Sequence, residues 1–541
     1  MLGRMQHWPL TVDKILEHAR TWHGAREVVT RSIDGPITRT TYADIDARAR
    51  RLSTALLDWG IGPGDRVATL AWNTDRHMEA WYAIMGVGAV CHTLNPRLFA
   101  EQLIYIVNHA GDRIIFCDPT FVPLVKAIAP HCPSVERVVL LAGEGGELDL
   151  GPIAVERYEP VLASVTTPAP WGGFDENTAC ALCYTSGTTG DPKGVLYSHR
   201  SNFLHTLMGL QSTALGASPA EVILPIVPMF HANAWGIAFA APAAGAKLVM
   251  PGARMDGAAI HELIEGEGVT FAAAVPTVWQ GLLTHLRENA LCLSTLKRVL
   301  IGGSAVPESL IRAFHDDFGV DVVQGWGMTE TSPIGTLSNP PAALARAGLD
   351  AQMPWRLKQG TPPLGVELTL KDEAGRRLAH DGASPGRLMV RGPAVAAGYF
   401  GREDAVLDAE GWFDTGDIAT IDPLGVMQIT DRAKDMIKSG GEWISSIEVE
   451  TIAAGHEDVA LAAVIGVPHP RWDERPLLVV QLKPGAPQDH ASHLAWLEGK
   501  IAKWWTPDQV VFVVQMPIGA TGKVDKRRLR TLLSAGQLPE G

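Results

Sequence analysis

Cysteine is scarce: the six in 541 residues (Cys91, Cys117, Cys132, Cys180, Cys183 and Cys292) are too few for a disulfide framework and fit a reducing compartment. Long apolar runs are missing as well. The longest uncharged stretch of membrane-like composition, 232–246, is too short to span a bilayer and is broken by Gly236, Pro242 and Gly245, so no membrane association is expected. The opening MLGRMQHWPLTVDKILEHAR lacks a secretory core, which leaves the cytoplasm as the expected location. Positive charge is outnumbered, with Lys+Arg 46 against Asp+Glu 59 and a net charge of −13. With no basic patch to outweigh that field, nucleic-acid and anionic-membrane partners are disfavoured. Charged residues at 19% lie below the usual value of about 25%, so large buried faces are expected rather than disorder. The length excludes one small binding module and suggests roughly three or four domain-sized units.

From about Thr40 to Cys117, helical patterns such as YADIDARARRLSTALLDWG alternate with apolar runs such as RVATLAW and RIIFCD, the habit of βαβ units around a parallel sheet. A second series runs from Ala179 to Gln324, with AEVILPIVPMF, AKLVM, VTFAAAVP, KRVLIGG and VDVVQGWG as strand candidates. Between about Pro354 and Thr430 the texture changes to short segments (GVELTLKD, GRLMVRG, GVMQITD) separated by Gly, Pro and Asp, as expected of a small β subdomain. A last α+β segment begins near Arg432. Its length, about a hundred residues, suits a separate domain.

The strongest local signal is Tyr184-Thr185-Ser186-Gly187-Thr188-Thr189-Gly190-Asp191-Pro192-Lys193-Gly194, directly after an apolar run. Glycines allow close backbone approach, hydroxyls can donate and a lysine adds positive charge, an inventory suited to phosphate. It is not a Walker A loop, because Pro192 precedes the lysine and Gly194 follows it. Two other patterns are decoys. Cys180 and Cys183 form CxxC inside a strand-like run with no second ligand pair, and the G-x-S-x-G at Gly382–Gly386 lacks the strand–turn–helix setting of a nucleophile elbow.

TSGTTGDPKG resembles the phosphate-loop signature of the adenylate-forming superfamily, which includes acyl-CoA synthetases, firefly luciferase and peptide-synthetase adenylation domains. The resemblance continues in order through Met229-Phe230-His231, Gly325-Trp326-Gly327-Met328-Thr329-Glu330, Thr415-Gly416-Asp417, Asp431-Arg432-Ala433-Lys434-Asp435 and Thr521-Gly522-Lys523. It implies a large N-terminal adenylation domain over 1–431, with two α/β subdomains and a β-barrel-like subdomain, and a mobile smaller α+β domain over 432–541. It also implies that a carboxylate and ATP give acyl-AMP and pyrophosphate before CoA takes the acyl group. Residues 185–193, Gly303, Ser304, Gly325 to Thr329, Asp417 and Arg432 would then bind the nucleotide. Glu330, with Thr185, would hold Mg²⁺. Lys523 would offset charge at the α-phosphate, His231 would stand beside the carboxylate, Lys434 would be the hinge, and Gly440, Gly441, Glu442 and Trp443 would line the CoA tunnel.

The chain ends at Gly541 without a carrier domain, which disfavours a modular synthetase, and Lys438 to Ser446 looks most like CoA ligases. The acid pocket is expected to involve His231, Trp235, Gly302, Gly303, Trp326 and Pro333, with Phe230, Trp279 and Met328 as further apolar candidates. These offer neither a cation for a second carboxylate nor an aspartate for an ammonium group, so a simple apolar monoacid is indicated. Across PMFHANAWG, GWGMTETSP, SGGEWIS and PHPRWDERP the chain resembles medium- and long-chain fatty acid ligases and, more closely, 3-(methylthio)propionate–CoA ligases. A tryptophan floor could also contact a thioether sulfur. A homodimer is compatible with this reading, and a non-catalytic protein on the same fold is its distant alternative.

Overall fold

The computed structural model describes residues 1, 3–143, 148–185, 191–439, 442–519 and 523–538, with backbone alone at 442 and 443. Local signals set the elements. Helix Tyr42–Asp58 starts at Thr41, whose side chain accepts from the Asp44 N–H while Asp44 answers at the Thr41 N–H. Its buried Tyr42, Ile45, Ala49, Leu52 and Leu56 recur at helical spacing along one face. That face packs on helix Asp75–Gly86, which is buried on nearly all sides. The strands Val90–Thr93, Ile114–Cys117 and Phe271–Ala274 are buried at every position, as strands covered by helices on both faces must be.

Two mixed sheets form the larger part. The seven-stranded sheet runs Ala154–Arg157, Arg137–Leu140, Ile114–Cys117, Arg66–Leu70, Val90–Thr93, Ala179–Thr185, Lys193–Ser198. All its pairs are parallel except the last. The eight-stranded sheet runs Ile334–Leu337, Asp321–Gly327, Arg298–Gly302, Phe271–Ala274, Val222–Pro225, Lys247–Met250, Glu27–Arg31, Ile37–Thr41, with antiparallel pairs only at its two edges. The sheets exchange strands relative to sequence texture. Ala179–Thr185 and Lys193–Ser198, which open the second series in the sequence, complete the first sheet, and Glu27–Arg31 joins the second by pairing with Lys247–Met250. Hydrophobic period identifies a strand but not the neighbour that it hydrogen-bonds.

Four antiparallel strands, Glu367–Lys371, Gly386–Arg391, Phe413–Ile421 and Met427–Arg432, form the β subdomain. A five-stranded sheet begins at Ile437 and holds Val459–His469, Asp473–Leu482 and Gln509–Val513. CxxC sits in strand Ala179–Thr185 with both thiols buried, where desolvation pushes Cys180 up to about 12. Ser384 lies in an exposed turn and donates to Asp381 at 2.7 Å, so it is no nucleophile elbow. Among the described residues no helix is long and apolar enough to cross a membrane.

Candidate active site

The antiparallel pairing of Ala179–Thr185 with Lys193–Ser198 sets Thr185 opposite Lys193, the two ends of the segment expected to bind nucleotide. Ser186 to Gly190 lie outside the described residues. At the loop's far end Lys193 Nζ stands 4.8 Å from the centroid of the Tyr399 ring, and the Tyr399 hydroxyl donates to Glu330 Oε1 at 2.7 Å. The Glu330 turn is pinned by backbone bonds, from the Ala396 N–H to its carbonyl at 2.8 Å and from the Tyr197 hydroxyl to the Thr329 carbonyl at 2.7 Å. Glu330 is 6% exposed. Burial raises its pKa, against the lowering pull of Tyr399, Arg432 and Lys193. A lone desolvated carboxylate suits a hard cation that keeps most of its waters and shares phosphate oxygens. It does not suit a metal held wholly by protein, and among the described residues no group of three or more His, Cys, Asp or Glu could hold one.

Strand Asp321–Gly327 delivers the next group. Gly327 is required by close approach, since a Cβ there would stand 1.7 Å from the Pro333 carbonyl oxygen. Pro333 therefore lies against the GWGMTE turn. Trp326 packs on Leu370, Leu388, Ala419 and Ile421 of the β subdomain, and its indole N–H donates to Asp417 Oδ2 at 3.0 Å. Asp417 pairs in register with Arg432 on the adjoining strand, and the Arg432 Nε lies 2.6 Å from Asp417 Oδ1. That contact is not aligned as a hydrogen bond, so Oδ1 is a buried acceptor without a donor. Desolvation raises the Asp417 pKa, opposed by Arg432, Trp326 and Lys523. A carboxylate so held can accept from vicinal hydroxyls.

Lys523 keeps solvent contact but is crowded by protein. Desolvation, with the fields of Arg432 and Lys434, pushes its ammonium down to about 8 although Asp417 pulls the other way. His231 is pushed down to about 4 by burial, then by Lys523 and Arg97, so its ring is neutral at pH 7. The two residues lie in one electrostatic neighbourhood despite their distance in sequence. After His231 the backbone turns left-handed at Ala232, Asn233, Ala234 and Trp235, with φ between 43° and 55°. Four successive side-chain-bearing residues in that region carry strain of about 1–2 kcal/mol each. The turn brings the Trp235 ring to 3.0 Å from where a Gly302 Cβ would stand, so the missing side chain makes room for the indole. Gly302 pairs with Gly325 on the next parallel strand, which sets Trp235, Gly302, Gly303 and Ser304 beside the nucleotide-side residues at the carboxyl ends of the strands.

Not every pocket candidate joins them. Trp279 is fully buried against Phe314 and donates to the Ala274 carbonyl, so it is core. Met328 packs in the β-subdomain cluster. Phe230 is buried beside Trp72. Trp326 spends its indole N–H on Asp417. Sequence reasoning missed Tyr399 and Arg97, whose neighbours Glu330 and His231 are remote in the chain.

Beyond Arg432 the chain passes exposed Lys434 into the hairpin Ile437–Ser439 and Glu442–Ile444, where Lys438 pairs with Trp443 and Ser439 with Glu442. Gly440 and Gly441 lie outside the described residues. Asp431 accepts from the backbone N–H and hydroxyl of Ser446, so the end of the β subdomain caps helix Ser446–Ala453 of the next unit.

Comparison with known proteins shows the family. Residues 16–400 match the family of AMP-binding enzymes, and 448–523 match the AMP-binding enzyme C-terminal domain. The chain is 50% identical to a 3-methylmercaptopropionyl-CoA ligase of Ruegeria lacuscaerulensis, with 98% of each chain covered. It is 46% identical to a medium-chain-fatty-acid–CoA ligase of Ectopseudomonas oleovorans, covering 98% of this chain and 97% of the other. Among solved structures, ATP-bound MatB from Rhodopseudomonas palustris superposes with a TM-score of 0.84 at 25% identity, over 98% of this chain and 100% of that one. Motifs, fold and relatives together show that the chain belongs to the AMP-binding enzyme family, as an AMP-forming acyl-CoA synthetase.

Proposed function

We propose that this synthetase activates 3-(methylthio)propionate and acids of similar length, in two half-reactions at the site just described. In the first, a carboxylate oxygen attacks the α-phosphorus of ATP, an acyl–phosphate bond forms and pyrophosphate leaves. Two anions must meet, so positioned positive charge is the main requirement. Lys523 supplies it at the α-phosphate, the loop 185–193 and Lys193 hold the other phosphates, and Asp417 accepts from the ribose with Arg432 beside it. Gly303, Ser304 and Gly325 to Thr329 border the base and sugar. Glu330, with Thr185, would hold Mg²⁺, whose charge would neutralise the phosphates when bound. In the second half-reaction the CoA sulfur attacks the acyl carbon and AMP leaves. Neutral His231 borders the acyl carbon, and residues Gly440 to Trp443 border the thiol once the unit 432–541 has turned about Lys434 against 1–431. A cytoplasmic setting fits the free thiols.

The observation that carries the reading is the shared field of Lys523, Asp417, Arg432 and His231, which suits adenylation before any rotation. The short acid is supported by Trp235, whose ring fills the space over Gly302; as a pocket floor it would limit the room for an alkyl chain. The Ruegeria relatives, 50% and 49% identical, are named for that acid. Medium-chain fatty acids are the second reading, favoured by the 46% relative. Trp235→Ala separates the two. A small substrate loses its contact surface while the cavity admits longer chains. The ratio of kcat/KM for 3-(methylthio)propionate to that for octanoate should fall about tenfold or more on Trp235→Ala. An unchanged ratio would mean that Trp235 does not bound the pocket.

A further inference from the structure

The strands carrying the nucleotide loop are held from behind by a side chain with no part in the reading above. Tyr184 and Gly194 face each other across the antiparallel pair and form the two posts of the loop. His109, in the last turn of helix Ala100–Ala110, ties both together. Its Nδ1 lies 2.6 Å from the Tyr184 hydroxyl, and its ring meets Phe400 edge-on with centroids 5.5 Å apart. Phe400 in turn donates its backbone N–H to the Gly194 carbonyl at 2.8 Å. The knot has no slack. A Cβ on Gly194 would stand 3.1 Å from the Tyr184 ring and 3.2 Å from Phe400 Cβ, and one on Gly401 would stand 3.0 Å from His109 Nε2. Tyr105 stacks on the imidazole at 5.5 Å and fixes its plane.

We propose that His109 is a positioning residue for adenylation: through Tyr184 and Phe400 it fixes the spacing of the paired strands at Tyr184 and Gly194 and so places their neighbours Thr185 and Lys193 for the phosphates of ATP. This rests on the adenylation reading above. A displacement of about 1 Å in such a frame costs on the order of a hundredfold in rate. The phosphates that the loop serves depart as pyrophosphate, so the second half-reaction does not depend on the posts. The consequence of loosening them is therefore confined to the first.

Three variants test it. His109→Phe keeps a ring without nitrogens, Tyr184→Phe removes only the hydroxyl, and His109→Asn returns an amide near the Nδ1 position. ATP–pyrophosphate exchange is measured over a range of ATP concentrations, and thioester formation is measured from synthetic acyl-AMP and CoA without ATP. His109→Phe and Tyr184→Phe should each raise the KM for ATP in exchange about tenfold, the scale of one lost hydrogen bond. Thioester formation should stay within about twofold of wild type, the double variant should be no worse than the worse single one, and His109→Asn should recover most of the loss. An unchanged KM for ATP, equal loss in both half-reactions, or additive losses would overturn the proposal. If His109→Phe does not fold, Tyr184→Phe decides alone by the same readouts. A wild type that exchanges no pyrophosphate would instead sink the adenylation reading itself.

Discussion

Lys523 is a cation in surroundings that disfavour cations, and its chemistry follows from that tension. Its ammonium titrates near 8, lowered chiefly by desolvation and then by Arg432. The protonated form is the one that offsets negative charge, so it is present below that pKa and lost as pH rises through it. The adenylation rate of the free enzyme should therefore fall above about pH 8, and Arg432→Gln, which removes a lowering charge, should move that alkaline limb upward. Lys523→Ala should cost adenylation at least about a hundredfold while synthetic acyl-AMP is still converted to thioester; equal loss of both steps would count against its role. Trp326 makes a second residue-level test, since its indole N–H is spent on Asp417. Trp326→Phe should raise the KM for ATP about tenfold, as a hydrogen bond to a charged acceptor is lost, with little change in the KM for acid. A rise confined to the acid would assign Trp326 to the acyl pocket instead. Glu330, Asp417 and Lys523 could be singled out from the sequence because each lies in a short ordered motif. The bonds from Tyr399 to Glu330 and from Trp326 to Asp417 join residues 69 and 91 positions apart, a relation made only by tertiary packing.

At the scale of elements, the join between the β subdomain and the last unit is a single strand exit with bonds on both sides of Lys434. Asp431 caps helix Ser446–Ala453 from before that lysine, and Asp435 holds Arg530 at 2.8 Å just after it. Any rotation about Lys434 must exchange the first bond and carry the second along. Proline at 434 fixes φ near −65° and removes a turning freedom. Lys434→Pro should leave pyrophosphate exchange largely intact and abolish CoA thioester formation. Wild-type rates of both steps in that variant would move the hinge elsewhere.

At the scale of the molecule, the paired strand ends Gly302 and Gly325 bring Trp235 to the nucleotide motifs, and Lys523 of the last unit lies in the field of Asp417 and beside His231. The strands themselves could be read from apolar runs such as RVLIG and FAAA, because burial on both faces leaves an unmistakable composition. Their partners could not, as Glu27–Arg31 and Ala179–Thr185 show, since pairing is decided by which edges remain open after the chain has folded back. The left-handed turn at 232–235 was largely hidden, because of its four residues only Asn233 carries a turn signature while Ala232, Ala234 and Trp235 do not. That turn places the Trp235 ring over Gly302, and in the proposed reading it would thereby set how long an acid fits. The most direct measurement is an internal competition: enzyme, Mg²⁺, limiting ATP and CoA with equimolar 3-(methylthio)propionate, octanoate and palmitate, the thioesters being quantified by mass spectrometry at low conversion. The product ratio reads kcat/KM for each acid. 3-(Methylthio)propionyl-CoA should dominate the products; a mixture dominated by octanoyl- or palmitoyl-CoA would contradict the short-acid assignment.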